Sequence, residues 1–278
     1  MESSIIFRFI CRLYTNSLNG FGDRAQTIHL ANIICFGQYK LMLNESLPNH
    51  VAVIIDGNRR WAKKHGLFPW DGHIRGAKRV EEISKHAVDL GIKYISFWGG
   101  SYNNLTKRTP KEIKFLDERM YRSWAKKALV DKYIYDNKVR IRFIGEWPTL
   151  LSKETVSAMR EVEEKTKAHS RHHLTYLIGY NGDREMLSAL NSIVKTKPKK
   201  ISGQTIKSHL WTRDLPPVDL LIRTGEDTPT PHISTGFMMW DTRDSILYFS
   251  PKMWPAFTKK DFDKIISYSL KAERRFGK

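Results

Sequence analysis

The chain has 278 residues, of which 41% are hydrophobic and 12% aromatic, so it is too apolar for a disordered basic protein and long enough for one large α/β domain. It carries 47 Lys and Arg against 29 Asp and Glu, a formal net charge of +18, which predicts an anionic partner: nucleic acid, membrane headgroups or phosphorylated small molecules. Cys11 and Cys35 are the only cysteines, which excludes a disulfide framework and a cysteine-rich zinc site and is typical of a reducing, cytoplasmic location.

Sequence patterns narrow the choice among these partners. No stretch reaches the roughly 20 consecutive apolar residues of a membrane span, and the nearest run, Ile28 to Phe36, is interrupted by His29 and Asn32. Any membrane contact is therefore predicted to be peripheral. The sequence has neither the paired ligands of a zinc finger nor the aromatic strand motifs of an RNA-recognition domain, so nucleic acid is not the expected partner.

Residues 1 to about 45 differ from the rest of the chain. They contain both cysteines, four basic residues and three acidic ones, with no sustained helical or strand period. We predict that 1–45 is an appended segment of uncertain status and that 46–278 form one folded domain. A basic, acid-poor amino terminus is typical of some targeting segments, and translation that begins at Met42 is an alternative explanation.

From residue 50 onward, short apolar runs alternate with helical patterns. The runs are continuous, which is typical of strands buried on both faces, and they lie at 50–55, 94–98, 139–144, 174–178, 218–222 and 246–249. A short helix is expected after the first run, and longer helical patterns lie at 72–90, 110–136, 152–169, 183–195, 202–210 and 259–275. This alternation predicts right-handed βαβ units in a central, six-stranded, mainly parallel sheet flanked by helices.

The first strand leads directly into a loop suited to an anion. Ligands of parallel sheets bind at the carboxyl ends of the strands, and here the loop reads Asp56-Gly57-Asn58-Arg59-Arg60-Trp61. Glycine lets the backbone approach a ligand closely, and the helix that follows offers free N–H groups. Two arginines in its first turn oppose the helix dipole. Either they lie in solvent, with Asp56 as a helix cap, or an anionic ligand lies beside them.

Two further strand ends carry groups of the same kind. The second strand is followed by Gly99-Gly100-Ser101-Tyr102-Asn103-Asn104 and Lys107-Arg108, and the fifth by Arg223-Thr224-Gly225-Glu226-Asp227 and His232-Ile233-Ser234. Glycines, hydroxyls, amides and cations are the groups that hold phosphate oxygens in proteins. Three such loops at one edge of the sheet predict a phosphate site.

Six segments occur in an order that is typical of one enzyme family: His50-Val51-Ala52-Val53-Ile54-Ile55-Asp56-Gly57-Asn58-Arg59-Arg60-Trp61-Ala62-Lys63-Lys64, Gly72-His73, Asp219-Leu220-Leu221-Ile222-Arg223-Thr224-Gly225, Leu247-Tyr248-Phe249, Trp254-Pro255 and Glu273-Arg274-Arg275-Phe276-Gly277. On these segments, residues 48–278 resemble the cis-prenyltransferases, most closely the undecaprenyl diphosphate synthase type of isoprenyl transferase. The resemblance implies a catalytic domain at 46–278, with a hydrophobic tunnel, that condenses isopentenyl diphosphate with an allylic diphosphate in cis geometry. The product would be a polyprenyl diphosphate, the precursor of a glycosyl carrier lipid. The resemblance also implies a homodimer, Mg²⁺ as cofactor, and peripheral contact with the membrane through the product.

The same resemblance implies a role for each matching residue. Asp56 is expected to bind Mg²⁺ and to assist departure of the allylic diphosphate, and Asn104 to serve in proton removal from the isopentenyl unit. The pocket for the allylic diphosphate is expected to contain Gly57, Asn58, Arg59, Arg60, Trp61 and His73. Ser101 belongs to the second loop, and the segment that binds isopentenyl diphosphate is expected to contain Arg223, His232 and Ser234.

Three departures from the family pattern concern the diphosphate-binding groups. The family commonly places an arginine shortly before the Gly-His pair, whereas residues 67–71 are Leu-Phe-Pro-Trp-Asp here. The second loop lacks the family's Glu-Asn-Trp-x-Arg sequence, so both Lys107 and Arg108 are candidates for its cation. In the third loop, His232 stands where the family has an arginine, and this exchanges a permanent cation for a ring that titrates near neutral pH.

A fourth departure concerns the metal. Ile246 stands where the family normally has a metal-associated glutamate. Other candidates for a second carboxylate are Asp241, Asp244, Glu226 and Asp227. The alternative function follows from this departure: a catalytically weak or noncatalytic homologue that acts as a subunit of a prenyltransferase complex. Such subunits generally lose the aspartate loop, which is intact here.

By the resemblance, the helices at 72–90 and 110–136 wall the tunnel. Ile113, Leu116, Met120 and Trp124 recur at helical spacing and are candidates for its lining. Spacing alone favours an ordinary core position for these side chains, since such a stripe is the usual sign of a helix packed against a core. The length of the product and the allylic primer are therefore not predicted.

The proposed boundary can be tested by shortening the chain. Because residues 1–41 lack a helical or strand period, a chain that begins at Met42 is expected to express, to dimerise and to keep its activity. Gel filtration and a prenyl-transfer assay measure these properties. An unfolded or inactive product would place the removed segment within the fold.

Overall fold

A computed structural model describes residues 47–226 and 231–272 of the chain. The segment predicted as appended, the candidate Asp227 and the motif at 273–277 lie outside the described residues. The strands are β1 (His50–Ile54), β2 (Tyr94–Gly100), β3 (Val139–Ile144), β4 (His172–Ile178), β5 (Leu220–Arg223) and β6 (Ile246–Phe249). They form one sheet in the order β3-β4-β2-β1-β5-β6, in which all neighbours are parallel. The predicted six-stranded parallel sheet is confirmed, with each strand within two residues of its predicted bounds.

Helices connect the strands and cover the sheet. In chain order they are α1 (Asn58–Lys64), α2 (Pro69–Leu90), α3 (Tyr102–Lys107), α4 (Pro110–Phe115), a π-helical segment (Leu116–Arg122), α5 (Ser123–Ala128), α6 (Lys132–Asp136), α7 (Trp147–Leu150), α8 (Lys153–Thr166), α9 (Gly182–Thr196), α10 (Gly203–His209) and α11 (Lys259–Lys271). Short 3₁₀ turns lie at Ser234–Gly236 and Trp254–Ala256. Among the described residues no helix is long and apolar enough to cross a membrane.

The prediction of one continuous helix at 110–136 is wrong in two respects. The π-helical segment widens the helix after Phe115, and the helix ends at Ala128 before α6 begins. Asp131 explains the second break, because its side chain accepts a hydrogen bond from Tyr133 N at 3.1 Å and so caps a new helix. The π-helical turn matters for function, since such turns are frequent at functional sites.

The strand order indicates where a ligand is expected to bind, namely at the carboxyl end of β1. The chain passes from β1 to β2 on one side and, after β4, returns to β5 on the other side. In open α/β sheets, ligands bind where the strand order reverses in this way, outside the carboxyl ends of the strands. Ile54 at the end of β1 lies opposite Arg223 at the end of β5, so the loops that follow the two strands meet at this point.

Two buried anchors hold this edge of the sheet. Every residue of β1 is buried, as expected for a central strand covered on both faces. Beyond β6, Trp254 is fully buried, and its indole N–H donates to Gly76 O at 2.9 Å. This bond ties the segment after β6 to α2, so the two elements that flank the β1 loop are fixed relative to each other.

His50 occupies the first position of β1 and is fully buried. Its Nδ1 lies 2.9 Å from Pro216 O and its Nε2 lies 2.8 Å from Ser96 Oγ on β2. Because a carbonyl only accepts, Nδ1 carries the proton and Nε2 accepts from the serine hydroxyl. Burial lowers the pKa of His50 to about 4, so the ring is neutral in the folded protein at neutral pH.

This shift predicts a pH-dependent stability. An unfolded histidine takes up a proton below about pH 6.5, whereas folded His50 does so only near its lowered pKa. As the pH is lowered below about 6.5, the free energy of unfolding is therefore expected to decrease by up to about 1.4 kcal/mol per pH unit because of this group. Urea unfolding of a His50→Gln variant should show a shallower pH slope below about pH 6.5 than the natural protein. The exposed His65, changed to Gln, is the control and should leave the slope as it is; an equal slope for both variants would contradict the assignment.

Candidate active site

One cavity of about 1000 Å³ lies at the carboxyl ends of the central strands. Its lining combines two kinds of residue. The polar part comes from the loops after β1, β2 and β5 and from α1, and includes Asp56, Arg59, Arg60 and Arg223. The apolar part comes from α2, the π-helical segment, α5 and the sheet. A ligand that fills this cavity therefore meets cations and an apolar wall at once.

Asp56 follows β1 and projects its carboxylate towards two arginines. Oδ2 lies 3.5 Å from Arg60 Nη2 and 3.4 Å from Arg223 Nη2, and Oδ1 accepts from Gly57 N at 2.5 Å. The side chain remains 44% exposed. Since both arginine contacts are long, the carboxylate keeps lone pairs for a further partner in the cavity.

Gly57 makes the sharp turn into α1. Its φ is +99°, a backbone conformation that side chains other than glycine rarely adopt. A Cβ at this position would also lie 2.8 Å from Met253 Cβ and 2.9 Å from Met253 Cα, so space and backbone conformation both require glycine. The turn places the start of α1, with Asn58 and Arg59, in the cavity lining.

Arg223 is the buried cation at the end of β5. Its Nη1 donates to His232 O at 2.8 Å and to Ser234 Oγ at 2.7 Å, and its Nε lies 2.9 Å from Glu226 Oε2. Arg223 and Glu226 are both buried. The carboxylate compensates the buried guanidinium, while Nη2 remains directed towards Asp56.

A second ion cluster forms around the buried carboxylate of Glu112. Glu112 of α4 places Oε1 3.0 Å from Arg108 Nη1, 3.1 Å from His73 Nε2 and 3.9 Å from Arg59 Nε. Burial lowers the pKa of His73, and the hydrogen bond to Glu112 opposes that shift. Burial also lowers the pKa of the Arg108 guanidinium, again opposed by Glu112. Glu112 thus orients three cationic or ring side chains.

Sequence reasoning did not find Glu112, because its pattern has an ordinary structural explanation. Thr109-Pro110-Lys111-Glu112 reads as a helix start with an acid in the first turn, and Thr109 does cap α4 by accepting a hydrogen bond from Glu112 N at 3.3 Å. The sequence does not show that the Glu112 side chain turns inward. The signal available was the pairing with Arg108 at a spacing of four residues, which is common on helix surfaces.

The second loop is held by a reciprocal cap. Ser101 Oγ accepts from Asn104 N at 3.0 Å, and Asn104 Oδ1 accepts from Ser101 N at 3.3 Å. Ser101 is buried and Asn104 is half-buried, and both line the cavity. The amide of Asn104 is therefore fixed by the backbone of its own loop.

Eleven of the fourteen residues predicted for the site line this one cavity: Asp56, Gly57, Asn58, Arg59, Arg60, His73, Ser101, Asn104, Arg108, Arg223 and Ser234. Trp61, Lys107 and His232 do not belong to its lining. Trp61 instead stacks on His65, with ring centroids 4.1 Å apart. Of the two cations proposed for the second loop, Arg108 lies at the cavity, whereas Lys107 is exposed outside it.

His232 lies beside the site with its side chain 64% exposed. Its backbone carbonyl accepts from Arg223, and its Nδ1 lies 4.0 Å from Glu226 Oε2. Within the described residues, the ring therefore faces the acid that partners Arg223, and the backbone of His232 supports the arginine directly.

The structure places the candidates for a second carboxylate in different positions, with different partners. Ile246 pairs with Leu220 at the start of β6, three register positions before Arg223, and does not line the cavity. Asp241 is buried in an ion pair with Lys207, and exposed Asp244 pairs with Arg243. Among the candidates that the structure describes, Glu226 is the one that forms an ion pair with the cavity residue Arg223. Among the described residues, no group of three or more His, Cys, Asp or Glu is arranged around a metal site.

The apolar part of the cavity corrects the interpretation of the helical stripe. Leu116, Met120 and Trp124 all line the cavity, so the core assignment that spacing favoured is incomplete: Leu116 is a buried core residue that also lines the cavity, whereas Met120 and Trp124 are half-buried. Ile113 is absent from the lining. Tyr176 and Phe143 on the sheet also line the cavity, and Trp124 packs edge-on to Tyr176 with centroids 4.5 Å apart. Residues of both segments, 72–90 and 110–136, line this cavity, and its use as a tunnel for the growing chain stays a prediction.

Fold and site together define a class of protein. A parallel α/β sheet carries, at its strand-order reversal, a cation-rich loop system that opens into an apolar cavity. Such a site suits a substrate with a phosphorylated head and a hydrocarbon chain. This is the arrangement expected of an enzyme that acts on prenyl diphosphates.

Comparison with known proteins identifies the family. The family described as putative undecaprenyl diphosphate synthase matches residues 54–277. An isoprenyl transferase of Thermotoga maritima is 37% identical over 83% of this chain and 97% of its own length. A tritrans,polycis-undecaprenyl-diphosphate synthase (geranylgeranyl-diphosphate specific) of Archaeoglobus fulgidus is 33% identical over 80% of this chain and 88% of its own. The chain belongs to the undecaprenyl diphosphate synthase family and is a cis-prenyltransferase.

Solved structures agree with this assignment. Lavandulyl diphosphate synthase from Lavandula x intermedia, in complex with dimethylallyl diphosphate, superposes with a TM-score of 0.77 at 28% identity and covers 84% of this chain and 100% of its own. A probable undecaprenyl diphosphate synthase from Campylobacter jejuni gives a TM-score of 0.67 at 27% identity, over 83% and 99%. The fold predicted from the sequence is therefore that of known prenyltransferases.

The buried cluster around Glu112 yields a stability prediction. Removing the buried carboxylate by Glu112→Ala leaves half-buried Arg108 without its acidic partner, and we expect the free energy of unfolding to fall by about 3 kcal/mol. The matched control is Glu164→Ala, which breaks the exposed pair with Lys167 and should cost less than about 1 kcal/mol. Denaturant unfolding of both variants measures the difference. Equal losses would contradict a structural role for the buried acid.

Proposed function

We propose that this chain condenses isopentenyl diphosphate onto an allylic diphosphate, with Asp56 and the cavity arginines acting on the departing diphosphate. The observation that carries the proposal is the single cavity that joins Asp56, Arg59, Arg60 and Arg223 to an apolar wall. An ionising allylic ester transfers negative charge to the leaving diphosphate. Preorganised guanidinium groups and the N–H groups at the start of α1 stabilise that charge as it develops.

We assign Mg²⁺ to Asp56. Magnesium is usually held by one or two carboxylates together with substrate phosphate oxygens, and the donors here fit this pattern. Asp56 retains free lone pairs and a partly exposed carboxylate, while no cluster of three ligating side chains occurs among the described residues. When bound, the ion neutralises diphosphate charge and favours its departure. The Glu226 carboxylate forms an ion pair with Arg223 and supports the site by holding that guanidinium in place.

Isopentenyl diphosphate is assigned to the groups around Arg223, Ser234 and the second loop. Arg223 supplies a guanidinium that is already oriented by Ser234, and guanidinium forks match phosphate oxygens well. Asn104 is assigned to the proton removed from the isopentenyl unit after the new carbon–carbon bond forms. Its amide oxygen is a weak base, so its contribution is to orient the unit and direct the proton towards the released diphosphate.

The apolar wall is assigned to the growing chain. Leu116, Met120, Trp124 and Phe143 line the cavity, and burial of each additional prenyl unit against such side chains is favourable. The relatives differ in what their names state: the Archaeoglobus enzyme is geranylgeranyl-diphosphate specific, and the Lavandula enzyme was solved with dimethylallyl diphosphate. We propose an allylic primer of this chemical class, with its length left to the assay described below.

We also propose a homodimer. Helix α9 leaves Leu187, Leu190 and Val194 exposed by 60%, 47% and 71%, and their spacing of three and four residues places them on one face. An exposed apolar helix face of this kind supports contact with a second copy of the chain.

A test of the mechanism is the change Asp56→Ala. Turnover of radiolabelled isopentenyl diphosphate, measured with a panel of allylic primers and resolved by product length, should fall by at least about 10²-fold because stabilisation of the leaving group is lost. Circular dichroism should show an unchanged fold. The control Asp244→Ala removes an exposed carboxylate paired with Arg243 and should leave the rate unaltered. Near-normal turnover in the Asp56 variant would exclude the proposed mechanism, and an inactive natural protein would favour a noncatalytic subunit.

A further inference from the structure

The cavity mouth is bordered by an exposed apolar patch. We define the rim patch as Leu67, Phe68, Trp70 and Ile74, which lie at the end of the α1–α2 loop and in the first turns of α2. Leu67, Phe68 and Ile74 are 45%, 63% and 44% exposed, and the rings of Phe68 and Trp70 stack with centroids 4.8 Å apart. Exposed aromatic and aliphatic side chains gathered at one place usually mark an interaction site.

The rim patch is continuous with the active-site cavity. Gly66, Leu67 and Pro69 line the cavity, as does Lys63 at the end of α1. Residues 67–71 are also the segment where the chain departs from its family's arginine-containing sequence. The apolar substitution thus lies directly beside the cavity lining.

Cations surround the rim patch. Between residues 63 and 78 the chain has four Lys or Arg, namely Lys63, Lys64, Arg75 and Lys78, against one acid, Asp71. All four cations are exposed, whereas the Asp71 carboxylate accepts a hydrogen bond from Phe68 N at 2.9 Å. Lys111 adds a fifth cation, with Nζ 5.0 Å from the Trp70 ring centroid. Apolar and aromatic side chains flanked by lysines are typical of surfaces that bind the interface of a bilayer.

We propose that the rim patch docks on an anionic phospholipid surface and inserts Phe68 and Ile74 among the headgroups. The inference rests on the proposed function, since a polyprenyl diphosphate product is destined for lipid. Docking places the part of the cavity lined by Gly66, Leu67 and Pro69 next to the bilayer surface. The exposed face of α9 fits a bilayer less well, because its three apolar residues are all aliphatic and none of them lines the cavity.

Vesicle sedimentation tests the surface directly. The full chain is mixed with vesicles of phosphatidylcholine alone or of phosphatidylcholine with phosphatidylglycerol, without substrate. We expect binding to the anionic vesicles, little binding to the neutral ones, and weaker binding as salt is raised, because lysines near an anionic surface act through a screened potential. Equal binding to both vesicle types, or no binding to either, would overturn the proposal.

Two variants separate the apolar and electrostatic contributions. Phe68→Ser should lower vesicle affinity by about tenfold or more, and its fold should be kept because serine is a preferred residue at the helix start that Phe68 occupies. Lys64→Gln combined with Lys78→Gln should lower it by about fivefold for each lysine removed. The matched control is Val130→Ser, which removes an apolar side chain elsewhere that is 77% exposed, more than Phe68, and should leave vesicle binding unchanged.

The same variants distinguish this proposal from the proposed function. Prenyl transfer from a short, water-soluble primer, measured without lipid, should be unaffected by Phe68→Ser, since Phe68 does not line the cavity. An active enzyme that ignores vesicles would overturn the docking surface alone, and vesicle binding by an inactive chain would overturn the proposed function alone. If Phe68→Ser changed the sedimentation of the free protein instead of its vesicle binding, the rim patch would be a contact between copies of the chain, and the proposal would be wrong.

Discussion

Mutual repulsion among the cations of one cavity is the constraint on which the rest of the site depends. Two like charges 4 Å apart repel by about 4 kcal/mol at an effective dielectric constant of about 20. The fold offsets this repulsion by pairing two of these arginines with buried acids: Glu226 pairs with Arg223, and Glu112 pairs with Arg108. Asp56 lies between Arg60 and Arg223 at longer distances, so it remains the carboxylate with capacity for a further ligand.

These ion pairs work because the surrounding backbone is rigid. The turn at Gly57 is possible only with glycine, and Trp254 bonds the segment after β6 to α2 on the other side of the loop. Arginine and carboxylate groups held by such elements lose little conformational freedom when a ligand arrives, which favours binding of the charge that develops in the reaction. The orientation of the charged side chains thus depends on the backbone at this edge of the sheet.

The apolar half of the site could not be recognised from the sequence. Trp124 and Leu116 sit on a helix whose stripe is indistinguishable in sequence from a core-facing one, because both environments select apolar residues with the same period. The π-helical segment and the break before α6 also escape sequence reasoning, since neither is encoded by a strong Gly or Pro signal. Glu112 belongs to the same group, as its sequence context already had a sufficient explanation as a helix start.

The sequence by itself determined the parallel sheet, its six strands and the three loops that supply the polar site, because periodicity and strand-end chemistry are local properties. It also determined the family, through motifs that require specific residues at specific spacings. Only the tertiary structure decided which cations meet at the cavity: Arg108 rather than Lys107, and Arg223 rather than the ring of His232. Adjacent residues in a chain point in different directions, and which of them faces a cavity depends on packing between elements far apart in sequence.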